Sequence, residues 1–352
     1  MIYPNFIKRV NCGIVEKPPS LGAVQKCSDA RSSKTGVRGV YRNTLSVSVC
    51  KATQQMRVFQ QPHFRLLFLI VFIMIIAACA PKPALLPPPR PAKVALVLGA
   101  GASKGFAHIG VLKVLESHNI PIHMIVGTSV GSFVGSLYAY GYDAYQLQTM
   151  SFSIQREDLV DLTIPDNGFV KGEKLENYVN WALRDTTIEK LRLPFFAVAT
   201  NVQTGEEIVF GTGNTGTAVR ASCSIPGIFR PVKISDGTYV DGGVVSPLAV
   251  DAAKRQGADV VIAVDISSNI NGSVPKSTIE TLLQSISIMN AKMSQIQVNR
   301  ADVVIRPNVG HIGTADFSKR HEAILEGEKA TLDALPKINQ IISKLRQEGR
   351  LP

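Results

Sequence analysis

The pentapeptide Gly127-Thr128-Ser129-Val130-Gly131 constrains the fold of this 352-residue chain more than any other stretch. It follows an apolar run, Ile122-His123-Met124-Ile125-Val126, that reads as a strand. It precedes residues 132–140, small and apolar, that continue as a helix. Glycines at both ends of G-x-S-x-G let the backbone turn tightly, so the serine hydroxyl projects from the elbow while the new helix aims its first amides at the same space. The pattern points to acyl transfer through Ser129. Taken alone, it is equally compatible with an ordinary serine in a tight turn.

About thirty residues upstream, Lys93-Val94-Ala95-Leu96-Val97-Leu98 forms a second apolar strand. It ends in the small-residue loop Gly99-Ala100-Gly101-Ala102-Ser103-Lys104-Gly105, and helical spacing follows. Such a loop can direct several backbone N–H groups at one point, which suits either a phosphate or the oxyanion of a tetrahedral intermediate. Both nucleotide readings fail on the letters. A dinucleotide fingerprint needs glycine where Lys104 stands, and a P-loop needs Gly-Lys-Ser/Thr in that order, whereas Lys104 precedes Gly105. A third element, Asp241-Gly242-Gly243, follows the strand-like Thr238-Tyr239-Val240. Most Asp-Gly pairs are turns, but beside an elbow serine and a donor loop the aspartate becomes a candidate base.

In this order the three motifs resemble the patatin-like phospholipases, serine lipid acyl hydrolases that use a Ser-Asp dyad. Residues 221–231 (ASCSIPGIFRP) are similar to the segment between elbow and aspartate in bacterial members. Residues 301–307 (ADVVIRP), with Gly310-His311-Ile312-Gly313 and Asp316-Phe317, are similar to their tail. The resemblance covers roughly residues 93–345. It implies that Ser129 is the nucleophile, that Asp241 is its general base, and that the amides of Gly101, Ala102, Ser103 and Lys104 form the oxyanion hole without calcium or any other cofactor. Ala100 and Ala102 stand where the plant-type G-G-G-x-R-G has glycines, and Lys104 where it has arginine. This leaves open which amides donate, because alanine tolerates fewer backbone conformations. A Ser-His-Asp order would need a late histidine, which His311 or His321 nominally supplies; His108 reads as structural. Lys104 is either a ligand for a lipid head-group phosphate or a salt-bridged side chain whose amide alone matters.

The N-terminal quarter speaks to location. Residues 66–76 (LLFLIVFIMII) form an uninterrupted apolar run behind Arg57 and Arg65, followed by Ala77-Ala78-Cys79. A run of this length is short for a bilayer span but fits a signal-peptide core. Ile76-Ala77-Ala78-Cys79 resembles a bacterial lipobox, which implies lipidation of Cys79; an uncleaved anchor over residues 64–80 is the competing reading. Residues 1–55 lack a long apolar run or a clear amphipathic period, and a signal peptide begins near its own charged segment. Translation is therefore expected to start at Met56, with 1–55 a disordered leader or over-extended frame, 56–78 the signal peptide, 79–92 a lipidated, proline-rich spacer and 93–345 the catalytic domain. Ala80, in place of an aspartate after the lipidated cysteine, points to the outer membrane facing the periplasm.

Residues 1–78 hold 11 of the 38 Lys+Arg and 2 of the 27 Asp+Glu, leaving 27 and 25, so the folded part carries only +2 of the formal +11. With no basic stripe, nucleic-acid binding loses its support. With Cys12, Cys27 and Cys50 in the leader and Cys79 lipidated, Cys223 has no disulfide partner, and no Cys/His spacing suggests zinc. Apolar strands at 93–98, 122–126, 194–200, 259–264 and 302–306 alternate with helical stretches at 105–117, 130–140, 171–184, 247–256, 276–298 and 319–345. The expected fold is a three-layer α/β/α sandwich with a mainly parallel central sheet. Residues 142–172 read as a lid whose Phe152, Leu159, Leu162, Ile164 and Phe169 meet an acyl chain or are plain core. The expected substrate is a phospholipid or lysophospholipid. An esterase or thioesterase for small or carrier-bound acyl groups, and a non-catalytic lipid-binding lipoprotein, are the alternatives.

Overall fold

The computed structural model describes residues 62–78, 89–164, 167–267 and 274–352, in two units, 1–85 and 86–352. In the first, helix α1 (Pro62–Ala78) contains the apolar run. No helix among the described residues is long and apolar enough to cross a membrane. The leader 1–55, the lipobox Cys79 and most of the proline-rich spacer lie outside the described residues.

The second unit is built on strand β1 (Val94–Leu98), whose five residues are all buried. A strand covered on both faces reads as a continuous apolar run rather than an alternation. Its two faces nevertheless feed different cores. Val94, Leu96 and Leu98 pack with Leu112 and Leu115 of α2 (Phe106–Ser117) and with Ile338 and Ile342 of α10 (Arg320–Gln347). Ala95 and Val97 pack with Val250, Ala252 and Ala253 of α8 (Val250–Arg255). Two cores on opposite faces of one sheet make the three-layer α/β/α sandwich that the sequence led us to expect.

The sheet has eight strands. β2 (Met124–Thr128), β3 (Phe195–Asn201), β7 (Val260–Val264) and β8 (Val303–Ile305) join β1 in its parallel part, while β4 (Glu207–Phe210), β5 (Val232–Ile234) and β6 (Gly237–Asp241) form an antiparallel flank. Hydrogen-bonded neighbours follow the order β5-β6-β3-β2-β1-β7-β8, and β4 also pairs with β3. Between them run α3 (Val130–Tyr140), α4 (Ala144–Ser153), α5 (Arg156–Leu159), α6 (Glu173–Ala182), α7 (Thr215–Cys223) and α9 (Thr278–Gln297). The loop after β1 and the elbow after β2 therefore emerge side by side at the carboxyl ends of neighbouring parallel strands, where open α/β sheets gather their chemistry.

Candidate active site

Ser129 sits at the junction of β2 and α3, 4% exposed, with φ 55° and ψ −128°. A non-glycine residue in this region stores about 1–3 kcal/mol of strain and persists only where its surroundings fix it. Here they do. The Ser129 carbonyl accepts from Ser132 N (2.8 Å), Phe133 N (3.3 Å) and Ser132 Oγ (2.6 Å). The flanking glycines are required by close approach. A Cβ on Gly131 would lie 2.0 Å from the Leu98 carbonyl oxygen, and one on Gly127 would lie 2.5 Å from the Gly131 oxygen.

The carboxylate reaches the serine through the pairing of β3. β2 pairs with residues 195–198 of β3, β6 with 199–201, and β4 with 197–200. Because β4 overlaps both, and a strand has two edges, β2 and β6 share the edge opposite β4. They run toward each other, Thr128 opposite Val198 and Asp241 opposite Ala199. Their carboxyl ends meet, and Ser129 Oγ donates to Asp241 Oδ2 at 2.6 Å across 112 positions of sequence. Asp241 Oδ1 accepts from Gly243 N (2.7 Å), and the Asp241 carbonyl accepts from Thr200 Oγ1 (3.0 Å). The D-G-G motif thus leads from strand β6 into a 3-10 turn, Gly242–Val244. Burial raises the carboxyl pKa from 3.8 to about 6, against the two hydrogen bonds that favour the charged form. A carboxylate so tuned is a stronger base toward a serine proton.

The loop after β1 is anchored at Gly99, whose carbonyl takes a hydrogen bond from His108 Nε2 (2.9 Å), and at Ala100, whose amide donates to Pro247 O (2.9 Å). His108 is fully buried, and burial lowers its pKa to about 4, so the neutral ring is the donor. Of the four amides expected to form an oxyanion hole, two are engaged elsewhere. Ser103 N donates to Thr314 O and Lys104 N to Gly101 O, both at 3.2 Å. The amides of Gly101 and Ala102 make no hydrogen bond within the described residues, and both residues line the same small cavity as Ser129 and Asp241. Of the four, these two are left able to meet an oxyanion. Lys104 is itself buried; desolvation lowers its pKa, with the charge of Asp265 opposing.

Ser129 lies at the border of two cavities. The smaller, about 40 Å³, brings Ser129, Asp241, Lys104, Ser267 and Asn290 together with the apolar Ile225, Leu283 and Ile286. The larger, about 480 Å³, is apolar, walled by Ile109, Phe133, Leu137, Met150, Leu175 and Phe229 among others. Helix α4 and the segment after it do cover this cavity, through Leu147, Met150, Ile154 and Leu159. Of the five residues singled out from sequence only Leu159 lines it. Phe152, Leu162, Ile164 and Phe169 are 44, 76, 86 and 40% exposed.

Among the described residues no histidine bonds to Ser129 or Asp241. His311 is exposed and pairs with Glu322, and His321 lies beside Phe152. Cys223 is a free thiol on the large cavity, held protonated by burial. No group of three or more His, Cys, Asp or Glu side chains is gathered as a metal site among the described residues. Sequence reasoning assigned no role to two buried polar residues of this site. Asn290 lines the small cavity from α9, its Oδ1 without a partner among the described residues. Ser222, fully buried on α7, bonds to the Ser129 amide. Both are polar letters inside helical runs, and their partners lie far away in sequence.

Comparison with known proteins places this geometry in context. Residues 96–254 match the family model described as patatin-like phospholipase. The chain is 30% identical over 292 residues to the lysophospholipase NTE1 of Yarrowia lipolytica, covering 74% of this chain and 20% of that protein. It is 31% identical over 292 residues to the lysophospholipase nte1 of Aspergillus fumigatus, covering 74% and 19%. The chain thus spans about a fifth of the length of these curated relatives. Among solved structures, VipD from Legionella pneumophila aligns at 15% identity with a TM-score of 0.43, over 74% of this chain and 72% of that one.

Proposed function

This chain carries a patatin-like phospholipase domain over residues 96–254, and from that premise we propose that it is a serine hydrolase of lipid acyl esters, acting on phospholipids or lysophospholipids. The observation that carries the reading is the 2.6 Å contact of Ser129 Oγ with Asp241 Oδ2, set between a large apolar cavity and a pair of unengaged amides. The apolar cavity takes the acyl chain, which puts the ester carbonyl over Ser129. Asp241 Oδ2 accepts the hydroxyl proton as Ser129 Oγ attacks the carbonyl carbon, and the Gly101 and Ala102 amides hold the oxyanion. The intermediate collapses when the proton passes from Asp241 to the departing alkoxide oxygen. Water then loses a proton to Asp241, attacks the acyl-serine carbon, and releases the fatty acid as the proton returns to Ser129 Oγ. The relatives named lysophospholipase support the substrate class, and the size of the apolar cavity favours long acyl chains over small ones.

Membrane attachment belongs to the same proposal. It rests on the apolar run 66–76 ahead of Ala77-Ala78-Cys79, with Cys79 as the lipidated residue and the outer membrane as the destination. The test uses the full chain with phosphatidylcholine, phosphatidylethanolamine, their lyso forms and short-chain esters, without calcium, beside Ser129→Ala and Asp241→Asn. Fatty-acid release lost in both variants is the expected result. Release that survives in Asp241→Asn refutes the dyad, and preference for short-chain esters refutes the lipid reading. Cys79→Ala is expected to free the chain from the membrane fraction.

A further inference from the structure

The β2–β3 ladder contains an irregularity at its catalytic end. Ile125 N donates to Pro194 O at 2.9 Å, and the register advances one for one from Ile125↔Phe195 to Thr128↔Val198. Parallel ladders bond every second residue of a strand. The rungs from β2 to β3 therefore run from 125 to 194, from 127 to 196, and next from Ser129 N–H to the Val198 carbonyl. That third rung is not direct. Ser129 N donates to Ser222 Oγ (2.9 Å), and Ser222 Oγ donates to Val198 O (2.6 Å). One hydroxyl from α7, fully buried, is spliced into the ladder. Two bonds in series through a bent hydroxyl put Ser129 N and Val198 O roughly 4.5 Å apart, against about 2.9 Å for a direct rung.

We propose that Ser222 is a positioning residue for Ser129: its inserted hydroxyl holds the nucleophile's backbone off β3 at the distance where Ser129 Oγ meets the carboxylate of β6. Three features converge on this. The insertion falls at Ser129, directly after β2, where the backbone turns to positive φ. The next residue along the same edge of β3, Ala199, is where Asp241 docks. The hydroxyl also satisfies both buried backbone groups of the opened rung, the Ser129 amide and the Val198 carbonyl. Without the hydroxyl, the Ser129 amide and the Val198 carbonyl satisfy each other by closing the rung, which draws Ser129 toward β3 and away from Asp241 Oδ2.

The inference rests on Ser129 being the nucleophile, so the experiment begins with the full, unaltered chain and a fluorophosphonate probe. Ser222→Ala is expected to lower the labelling rate and the kcat on a lysophospholipid by about tenfold or more, with KM held within about twofold because the acyl cavity is intact. It is also expected to raise the midpoint of the acidic limb of the rate profile, because the Ser129 hydroxyl is one of the groups holding the Asp241 carboxyl down. Ser222→Thr keeps the hydroxyl and is expected to keep the acidic limb where it is. Should Ser222→Ala fail to fold, Ser222→Cys, close in volume but with a weak donor, carries the same expectations. An unaltered chain that is not labelled overturns both this inference and the proposed function. An unaltered chain that is labelled, beside a Ser222→Ala or Ser222→Cys variant with the same labelling rate and acidic limb, overturns this inference alone.

Discussion

Replacing Asp241 by asparagine is expected to abolish turnover and, at neutral pH, to stabilise the fold. Asp241 is 5% exposed, and burial raises its pKa from 3.8 to about 6 in the folded chain. A group whose folded pKa lies above its unfolded value favours the native state when protonated. Its contribution is complete below about pH 3.8 and is lost as pH rises through about 6. The shift of about 2 units, at ~1.4 kcal/mol per unit, makes the ionised carboxylate cost about 3 kcal/mol at pH 7 to 8. Asparagine stands in for the protonated acid: its oxygen accepts from Gly243 N and its amide donates to Ser129 Oγ. Through the usual entropy of unfolding, about 3 kcal/mol corresponds to a rise in Tm of roughly 6–12 °C. The measurement is thermal unfolding of both chains at pH 8 and pH 4.5. The gain should shrink at pH 4.5 to about a third, because most of the window between the two pKa values then lies above the working pH. A variant that melts at or below the unaltered chain at pH 8, or whose gain is the same at both pH values, refutes the argument that burial, rather than the two hydrogen bonds, dominates this carboxylate.

The acidic limb of kcat/KM is expected to have its midpoint near pH 6 and to fall about tenfold per unit below it, set by Asp241; a midpoint near 4 would assign the base elsewhere. Gly131→Ala would put a Cβ 2.0 Å from the Leu98 oxygen, so α3 must shift by about 1 Å. The expected result is a loss of activity of about 100-fold with a stability loss of about 1–3 kcal/mol in urea unfolding. Activity within about twofold of the parent would show that the elbow tolerates the shift. Met150→Trp, which fills part of the apolar cavity, is expected to slow hydrolysis of long-chain esters while sparing short ones; equal loss on both would remove the acyl chain from that cavity.

What could be read from the letters divides along physical lines. Strand β1 announced itself because burial on both faces demands an unbroken apolar run, and β2 because its apolar Met124-Ile125-Val126 leads into the elbow. Ser129 and Asp241 stood out because each lies beside glycines that have no room for a side chain. The antiparallel flank was less visible. β4, β5 and β6 are three to five residues long and largely half-buried, so they carry neither a long apolar run nor a clean alternation. The segment 142–172 does line the apolar cavity, but mostly not through the residues expected. Thr163 N bonds to Phe169 O and Leu162 bridges to Val170, and Leu162 and Ile164 are exposed. Motif spacing cannot reveal that Ser103 N, one of the four amides expected at an oxyanion hole, donates to Thr314 O, more than two hundred residues away. Ser222 was silent because its partners are backbone groups, whose identity no residue letter records.

The edge of β3 has one more consequence, which concerns time rather than geometry. Ser129, its elbow and the loop after β1 are all encoded by residue 140, yet the proposed base lies 112 positions beyond Ser129 on β6, which pairs with the edge of β3 that also carries β2. A growing or truncated chain that stops short of Asp241 lacks the carboxylate proposed to take the Ser129 proton. In chain order, the proposed dyad is complete only once the residues of six of the eight strands are present.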